Sequence, residues 1–488
     1  DFTTVNGSSD PGYGLAMVDS TIGALITPFA TNTKVRNAGL DAAIYSLASD
    51  SDSFYGSGYV FGAGGNLEGT FRANWSDGEL VWVNDCHGDT YSVSPSPSGA
   101  IYAAGHSHYC GNIDGFPQTE PWSFSRGIAF SKDATGSVSR DPYGYHDWSG
   151  NSSPSLLNFF PDINLGTFTG QYQGPWDVTS NGQYALYGGE FTRVNGQNQQ
   201  GLLRFAVPSI APNLDGPRLT GANLAPTMSS PAPGTIALSW TANWDRDNEN
   251  LTYHLIRDGK IGSPIYVTEQ ASRFYDRPTM TYVDSGLTPG QTYTYRLRTI
   301  DPFGNNGWGS TVSFTAGGSG QLSDYAAAVM EDQPSNYWRL GESSGNTLVD
   351  SVARDNAIRN SGVGLGASGA IIGDSDTAAT FTGNSNSYAG SNTQIWRDNT
   401  FSVEAWFKTS STAGGKIVGF GSSQSGNSSN YDRHIYLDGS GRLNFGVYTG
   451  STRVVQSAKS YNDNQWHQVV GSMGAQGMEL FVDGVRIG

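Results

Sequence analysis

The chain has 488 residues, with 27 Lys plus Arg against 43 Asp plus Glu, for a formal charge of −16. At roughly 100–200 residues per domain this length predicts about three domains, and the acidic balance excludes a nucleic-acid partner or a polybasic attachment to lipid, both of which need a basic face. Charged residues make up only 14%, Gly numbers 65 and aromatics reach 12%; with no helical period sustained over three turns, this excludes a mainly helical protein and a doubly wound α/β enzyme and predicts short strands joined by tight turns.

In chain order, the first feature is an internal echo. Phe2-Thr3-Thr4-Val5-Asn6-Gly7 returns as Phe191-Thr192-Arg193-Val194-Asn195-Gly196, with Thr4 against Arg193 as the one difference. Between the copies lie strand-like segments such as Ala43–Leu47, Ser57–Gly62, Leu80–Val83, Gly99–Gly105 and Gln183–Gly189. Self-similarity at this spacing predicts a repeat architecture. The phrase Gly188-Gly189-Glu190-Phe191-Thr192-Arg193-Val194-Asn195-Gly196 resembles the repeat of a bacterial secreted β-propeller family. The resemblance implies about three blades over residues 1–212. A closed propeller needs at least four, so the expectation is a propeller whose first blades precede Asp1, with a leader removed or the chain starting internally.

Pro208 to Pro217 reads as a stiff linker. Over residues 213–318 the pattern becomes that of a sandwich, with Thr235–Trp240 and Leu251–Arg257 as strands. Leu287-Thr288-Pro289-Gly290 feeds the alternating strand Thr292–Leu297, placing Tyr293 where a tyrosine corner belongs. This segment resembles a fibronectin type III module, with Trp240 in its core. Gly317-Gly318-Ser319-Gly320 reads as a flexible joint. The only helix-like stretch is the short Ser323–Met330.

Residues 319–488 resemble the laminin-G-like, concanavalin A-type jelly roll, through Tyr337–Glu342, Ala378–Gly383, Phe401–Lys408, Trp466–Val470 and Met478–Val485. Trp338, Trp406 and Trp466 are expected to fill the core rather than to meet a ligand. The resemblance implies further closing strands beyond Gly488. The predicted fold class is thus all-β: a partial propeller, a fibronectin type III sandwich and a laminin-G-like jelly roll.

The two cysteines, Cys86 and Cys110, predict one disulfide in an exported protein, two buried thiols being the alternative. They flank the densest cluster of reactive side chains, His87 and Asp89 with His106 and His108. The last two share one face of a strand, a candidate zinc or other divalent-metal set. The alternative is histidines that hydrogen-bond loops beside a structural disulfide. The jelly-roll resemblance implies a possible calcium ion, with Asp350, Asp355, Asp374 and Asp376 as candidate ligands, against the plain alternative that they cap turns. Trp396, Tyr431, Arg433, His434, Tyr436 and Tyr448 are candidate sugar-binding residues, since aromatic faces stack on sugar rings and polar groups meet hydroxyls.

No nucleophile elbow, zincin motif or phosphate-cradling Gly loop is present. Paired carboxylates of a glycosidase leave no local signature, and Asp177 and Glu190 are not distinguished from turn acids. No apolar run is long enough to cross a bilayer. The reading is therefore a secreted or cell-surface, wall-associated protein that binds carbohydrate or another surface polymer in adhesion or assembly, with self-association open. The alternatives are a secreted glycoside hydrolase with accessory modules, and a structural component of a surface layer, appendage or phage fibre.

Overall fold

The computed structural model describes residues 2–317, 322–393 and 399–488. Its regular structure is almost entirely antiparallel β. Three meanders come first. Strands Ala42–Ser49, Ser53–Val60, Gly69–Asn74 and Leu80–Asn84 pair in sequence order, as do Thr90–Pro95, Ala100–Ser107, Ser125–Ser137 and Ser152–Leu156. Pro175–Ser180, Tyr184–Gly189 and Leu202–Ala206 form the third sheet. In each sheet the first strand is an edge, and Thr90–Pro95 packs against both Ala42–Ser49 and Pro175–Ser180. The three edge strands therefore run side by side. The meanders are blade-like, and among the described residues no sheet closes on itself. What is observed is three packed meanders.

The internal echo is realised as two hairpin turns. Val5 and Ser8 exchange backbone hydrogen bonds of 2.8 and 2.9 Å across Asn6-Gly7, and Arg193–Val194 pairs with Gln197–Asn198 across Asn195-Gly196. All four turn residues have positive φ, from 49° at Asn6 to 81° at Gly7. A two-residue turn that follows the strand twist needs this backbone, and Asn-Gly adopts it at least cost.

Thr227–Ser229, Ile236–Thr241 and Thr279–Asp284 face a second sheet built on Asn250–Arg257 and Thr292–Ile300. Alternation directs Ile236, Leu238, Trp240, Leu251, Tyr253, Leu255, Tyr293, Tyr295 and Leu297 into a single core. The Tyr293 hydroxyl accepts the Thr288 N–H at 2.9 Å, which is the tyrosine corner. The preceding proline-rich segment is tied down, Asn305 Nδ2 donating to the carbonyls of Asn213 and Asp215 at 3.1 Å.

This sandwich is docked to the meanders. Phe274 and Tyr275 reach into the N-terminal core, with Phe274 5.8 Å from Phe116 and 5.0 Å from Phe160 between ring centroids. The Phe160 N–H donates to the Arg246 carbonyl at 2.9 Å.

The C-terminal region opens with helix Asp324–Glu331, capped by Ser323. It ends in two four-stranded sheets, one containing Phe401–Lys408 and Trp466–Gly474, the other Gly415–Gly421, Tyr431–Leu437, Arg442–Tyr448 and Thr452–Ser460. Phe407, Ile435, Leu437, Leu443, Phe445, Val469 and Leu480 fill the space between. The expected tryptophan core is not found. In Phe401–Lys408 the inward parity belongs to Phe401, Val403, Ala405 and Phe407, which leaves Trp406 on the outer face, its indole donating to Tyr325 at 2.8 Å. Trp338 and Trp466 are half-buried and stand outside the cluster.

Candidate functional site

Two side-chain constellations stand out. The first lies where the three meanders meet. Cys86 and Cys110 are disulfide-bonded, joining the segments after the first sheet and after Ala100–Ser107. The His108 N–H donates to the His87 carbonyl at 2.8 Å, which completes the clamp.

The histidines gathered here take separate environments. His87 is fully buried, stacked on Tyr145 at 3.9 Å, with Nε2 3.3 Å from an Asp141 oxygen and 3.8 Å from Asp85. His108 lies flat against Trp122, 4.0 Å between centroids, and burial pushes its imidazole down to about 4. His106 Nδ1 is 2.9 Å from the Tyr91 hydroxyl, which also lies 3.4 Å from Asp89. Burial raises the Asp89 carboxyl and lowers the His106 imidazole. Among the described residues no group of three or more His, Cys, Asp or Glu is arranged to hold a metal ion. The expected set His87, Asp89, His106 and His108 is therefore not assembled: each ring is committed to a different aromatic neighbour.

Sequence reasoning missed Glu68. It is buried behind this cluster, accepts the Gly88 N–H at 3.0 Å, and is pushed up to about 7 by burial, with Asp89 adding to the effect. Asp177 and Glu190 are held elsewhere, Asp177 by the Ser92 hydroxyl and Glu190 by Thr169 and the Gln173 N–H.

The acidic residues expected as calcium ligands all make protein contacts. Asp350 accepts from Asn336 Nδ2 and from the backbone N–H groups of Tyr337, Val352 and Asp355. Asp355 accepts from Asn392 and Thr393. Asp374 and Asp376 both pair with Arg339, Asp376 at 2.6 Å. The four divide into two structural nodes and form no common ligand set.

The second constellation is on the outer face of the jelly-roll sheet. Tyr431, His434 and Tyr436 form a ladder, with centroids 5.0 and 4.9 Å apart. Tyr431 and Tyr448 are 60% and 61% exposed. Asn444 lies opposite Tyr436, and Gln456 bridges Asn444 and Asp438 at 3.0 and 3.1 Å. Burial, then Lys416, lowers the His434 imidazole. Arg433 does not join the ladder. Its guanidinium pairs with Asp432 at 2.7 Å and lies over Phe401. Trp396 lies outside the described residues.

Residues 382–488 match the Concanavalin A-like lectin/glucanases superfamily, in its laminin-G branch. No curated protein matches the chain. Among solved structures it is similar to the 6th fibronectin type III domain from human fibronectin type III domain containing protein 3. Identity there is 19% over 22% of this chain and 93% of that one, with a TM-score of 0.17. It is also similar to the chicken CNTN1 FN1-FN3 domains, at 7% identity over 82% of this chain and 100% of that one, with a TM-score of 0.19. Neither superposition bears on function. No helix among the described residues is long and apolar enough to cross a membrane.

Proposed function

We infer that the protein is an extracellular binding protein that recognises carbohydrate in adhesion or cell-surface assembly, with the outer jelly-roll sheet as a binding face. The observation that supports this most is the Tyr431–His434–Tyr436 ladder on the outer sheet face, edged by exposed Tyr448 and Gln456 and by half-buried Asp438. Ring faces offer stacking area for the C–H faces of a sugar, and the Gln456 amide and the Asp438 carboxylate offer partners for its hydroxyls, Asn444 being buried beneath them. The disulfide is compatible with an oxidising compartment.

The test is binding of the full chain to an array of immobilised oligosaccharides, with and without EDTA. Saturable binding that falls at least about tenfold in Tyr431→Ala/Tyr436→Ala supports the reading, since losing stacked aromatic anchors costs about 1–3 kcal/mol or more. Loss on chelation adds a calcium requirement, and indifference to EDTA removes it. Absence of binding, or binding unchanged by the double variant, overturns this face as the site.

A further inference from the structure

The three N-terminal meanders each bring one aromatic ring to a common place. Tyr45 comes from the first strand of the first sheet, Tyr91 from that of the second and Trp176 from that of the third. Tyr91 touches the other two, at 5.6 Å from Tyr45 and 4.7 Å from Trp176. His106 continues the row at 5.7 Å from Tyr91 and 5.7 Å from Phe124. Tyr91 is buried, whereas Tyr45 and Phe124 are exposed and Trp176 is half-exposed. Tyr59 stacks on one face of Tyr45 at 4.7 Å and Arg126 lies over Phe124, so the ring surface left open above buried Tyr91 is that of Trp176 and the exposed side of Tyr45.

Asp89 sits beside Tyr91 and is poorly satisfied. A carboxylate accepts about four hydrogen bonds, and partly buried ones are normally well supplied. Among the described residues the Asp89 side chain has one donor, the Tyr91 hydroxyl, at a long 3.4 Å. Residues that serve only the fold look different: Asp350 takes four protein donors. An under-supplied carboxylate beside an imidazole and next to the partly exposed Tyr45 and Trp176 rings has acceptor capacity for an incoming O–H.

We propose that this convergence is a second carbohydrate site, which seats a neutral sugar ring on Trp176 and the exposed side of Tyr45 and binds its hydroxyls through Asp89 and His106. A neutral ligand is favoured over a cationic one because Arg126 already occupies the face of Phe124, 5.6 Å from the ring centroid, and repels a second positive charge. The site belongs to a different module from the jelly-roll ladder and stands or falls separately from it. With both sites filled, one chain engages a polymer at two points, and linkage raises the apparent affinity without any new contact.

The experiment uses the full chain carrying Tyr431→Ala/Tyr436→Ala, so that the jelly-roll ladder is silent. Probes are neutral glucan, mannan and galactan oligosaccharides, with chitosan oligomers as the cationic control. Asp89→Asn, which keeps the side-chain shape, and Tyr45→Ala, at an exposed ring, are added one at a time. The expected result is saturable binding of a neutral oligosaccharide by the parent variant, weakened about tenfold or more by Asp89→Asn and by Tyr45→Ala. Binding of chitosan alone, no binding in the ladder-silenced chain, or binding indifferent to both added substitutions overturns the proposal. The first and third of these outcomes leave the jelly-roll reading untouched, because the ladder is absent from every arm. The second, set beside an unsilenced chain that does bind, shows the ladder to be the sole site.

Discussion

Glu68 and His108 are both buried beside the disulfide and titrate in opposite senses. Glu68 holds its proton more tightly folded, at about 7, than unfolded, near 4.5. The folded chain therefore binds more protons between these values, and its stability falls as pH rises from 4.5 to 7, then levels off. Burial holds His108 at about 4, below its unfolded 6.5, so its contribution is present above pH 6.5 and is lost as pH falls through 4. Between pH 4.5 and 6.5 the contributions of these two groups oppose each other. Glu68→Gln keeps an acceptor for the Gly88 N–H and removes one slope. The variant is expected to be more stable than the native chain at pH 8, by up to about 3 kcal/mol, and close to it at pH 4. Urea unfolding at the two pH values checks this. A variant less stable at pH 8 would show that the Glu68 carboxylate is satisfied by its surroundings and not strained by burial.

At the scale of elements, the segment from Cys86 to Cys110 carries His87, Asp89, Tyr91, His106 and His108, and the disulfide closes it over a sequence separation of 24. Closing a loop of this length removes unfolded-state entropy worth about 3 kcal/mol in the chain-entropy view. Cys86→Ala/Cys110→Ala is therefore expected to lower stability by about that amount, measured by denaturant unfolding against the native chain with and without reductant. If the native chain does not respond to reductant and the double variant is equally stable, the clamp is not a stabilising element. The disulfide was legible because two cysteines in an otherwise cysteine-free chain have only each other. The Tyr293 corner was legible because it is local, the Thr288 N–H donating to a hydroxyl five residues on; the Asn-Gly phrases, read from sequence only as a repeat, turn out to be hairpin turns of adjacent residues. Trp406 was misplaced because a single residue of parity moves a side chain through the sheet, and a rich tryptophan content says nothing about which parity faces inward. The ring cluster was only half legible. Its histidines lie within one loop, but Tyr45, Tyr91 and Trp176 are brought together only by the side-by-side packing of three edge strands, which no local pattern records.

For the whole molecule, the decisive question is whether the central sandwich is a spacer or a structural partner. A proline-rich connection suggests a spacer, yet the contacts argue otherwise. Phe274 meets Phe116, Phe160 and Trp244 within 5.0–5.8 Å, and Tyr275 packs beside it. Around this plug, Arg246 pairs with Asp215 at 2.6 Å, and Asn158 donates to the Asp245 carbonyl at 3.3 Å. An aromatic plug shared by two cores couples their unfolding, because neither core keeps it once the other has opened. The junction with the C-terminal region has a different character: the Ser229 hydroxyl donates to the Ser351 carbonyl at 3.1 Å and the Thr227 hydroxyl to that of Ala353, with no comparable aromatic insertion among the described residues. Calorimetry of the native chain is expected to show the meanders and the sandwich melting together, with the jelly roll as a separate transition. Phe274→Ala, a large-to-small change in a packed aromatic cluster worth about 3–5 kcal/mol when fully buried and less at this half-buried position, is expected to split the first transition in two and leave the jelly-roll transition unmoved. Separate melting of meanders and sandwich already in the native chain, with no further change in the variant, would return the sandwich to the role of spacer. The two proposed sugar sites would then be held apart by a hinge rather than at a fixed spacing, and their joint avidity would follow linker statistics.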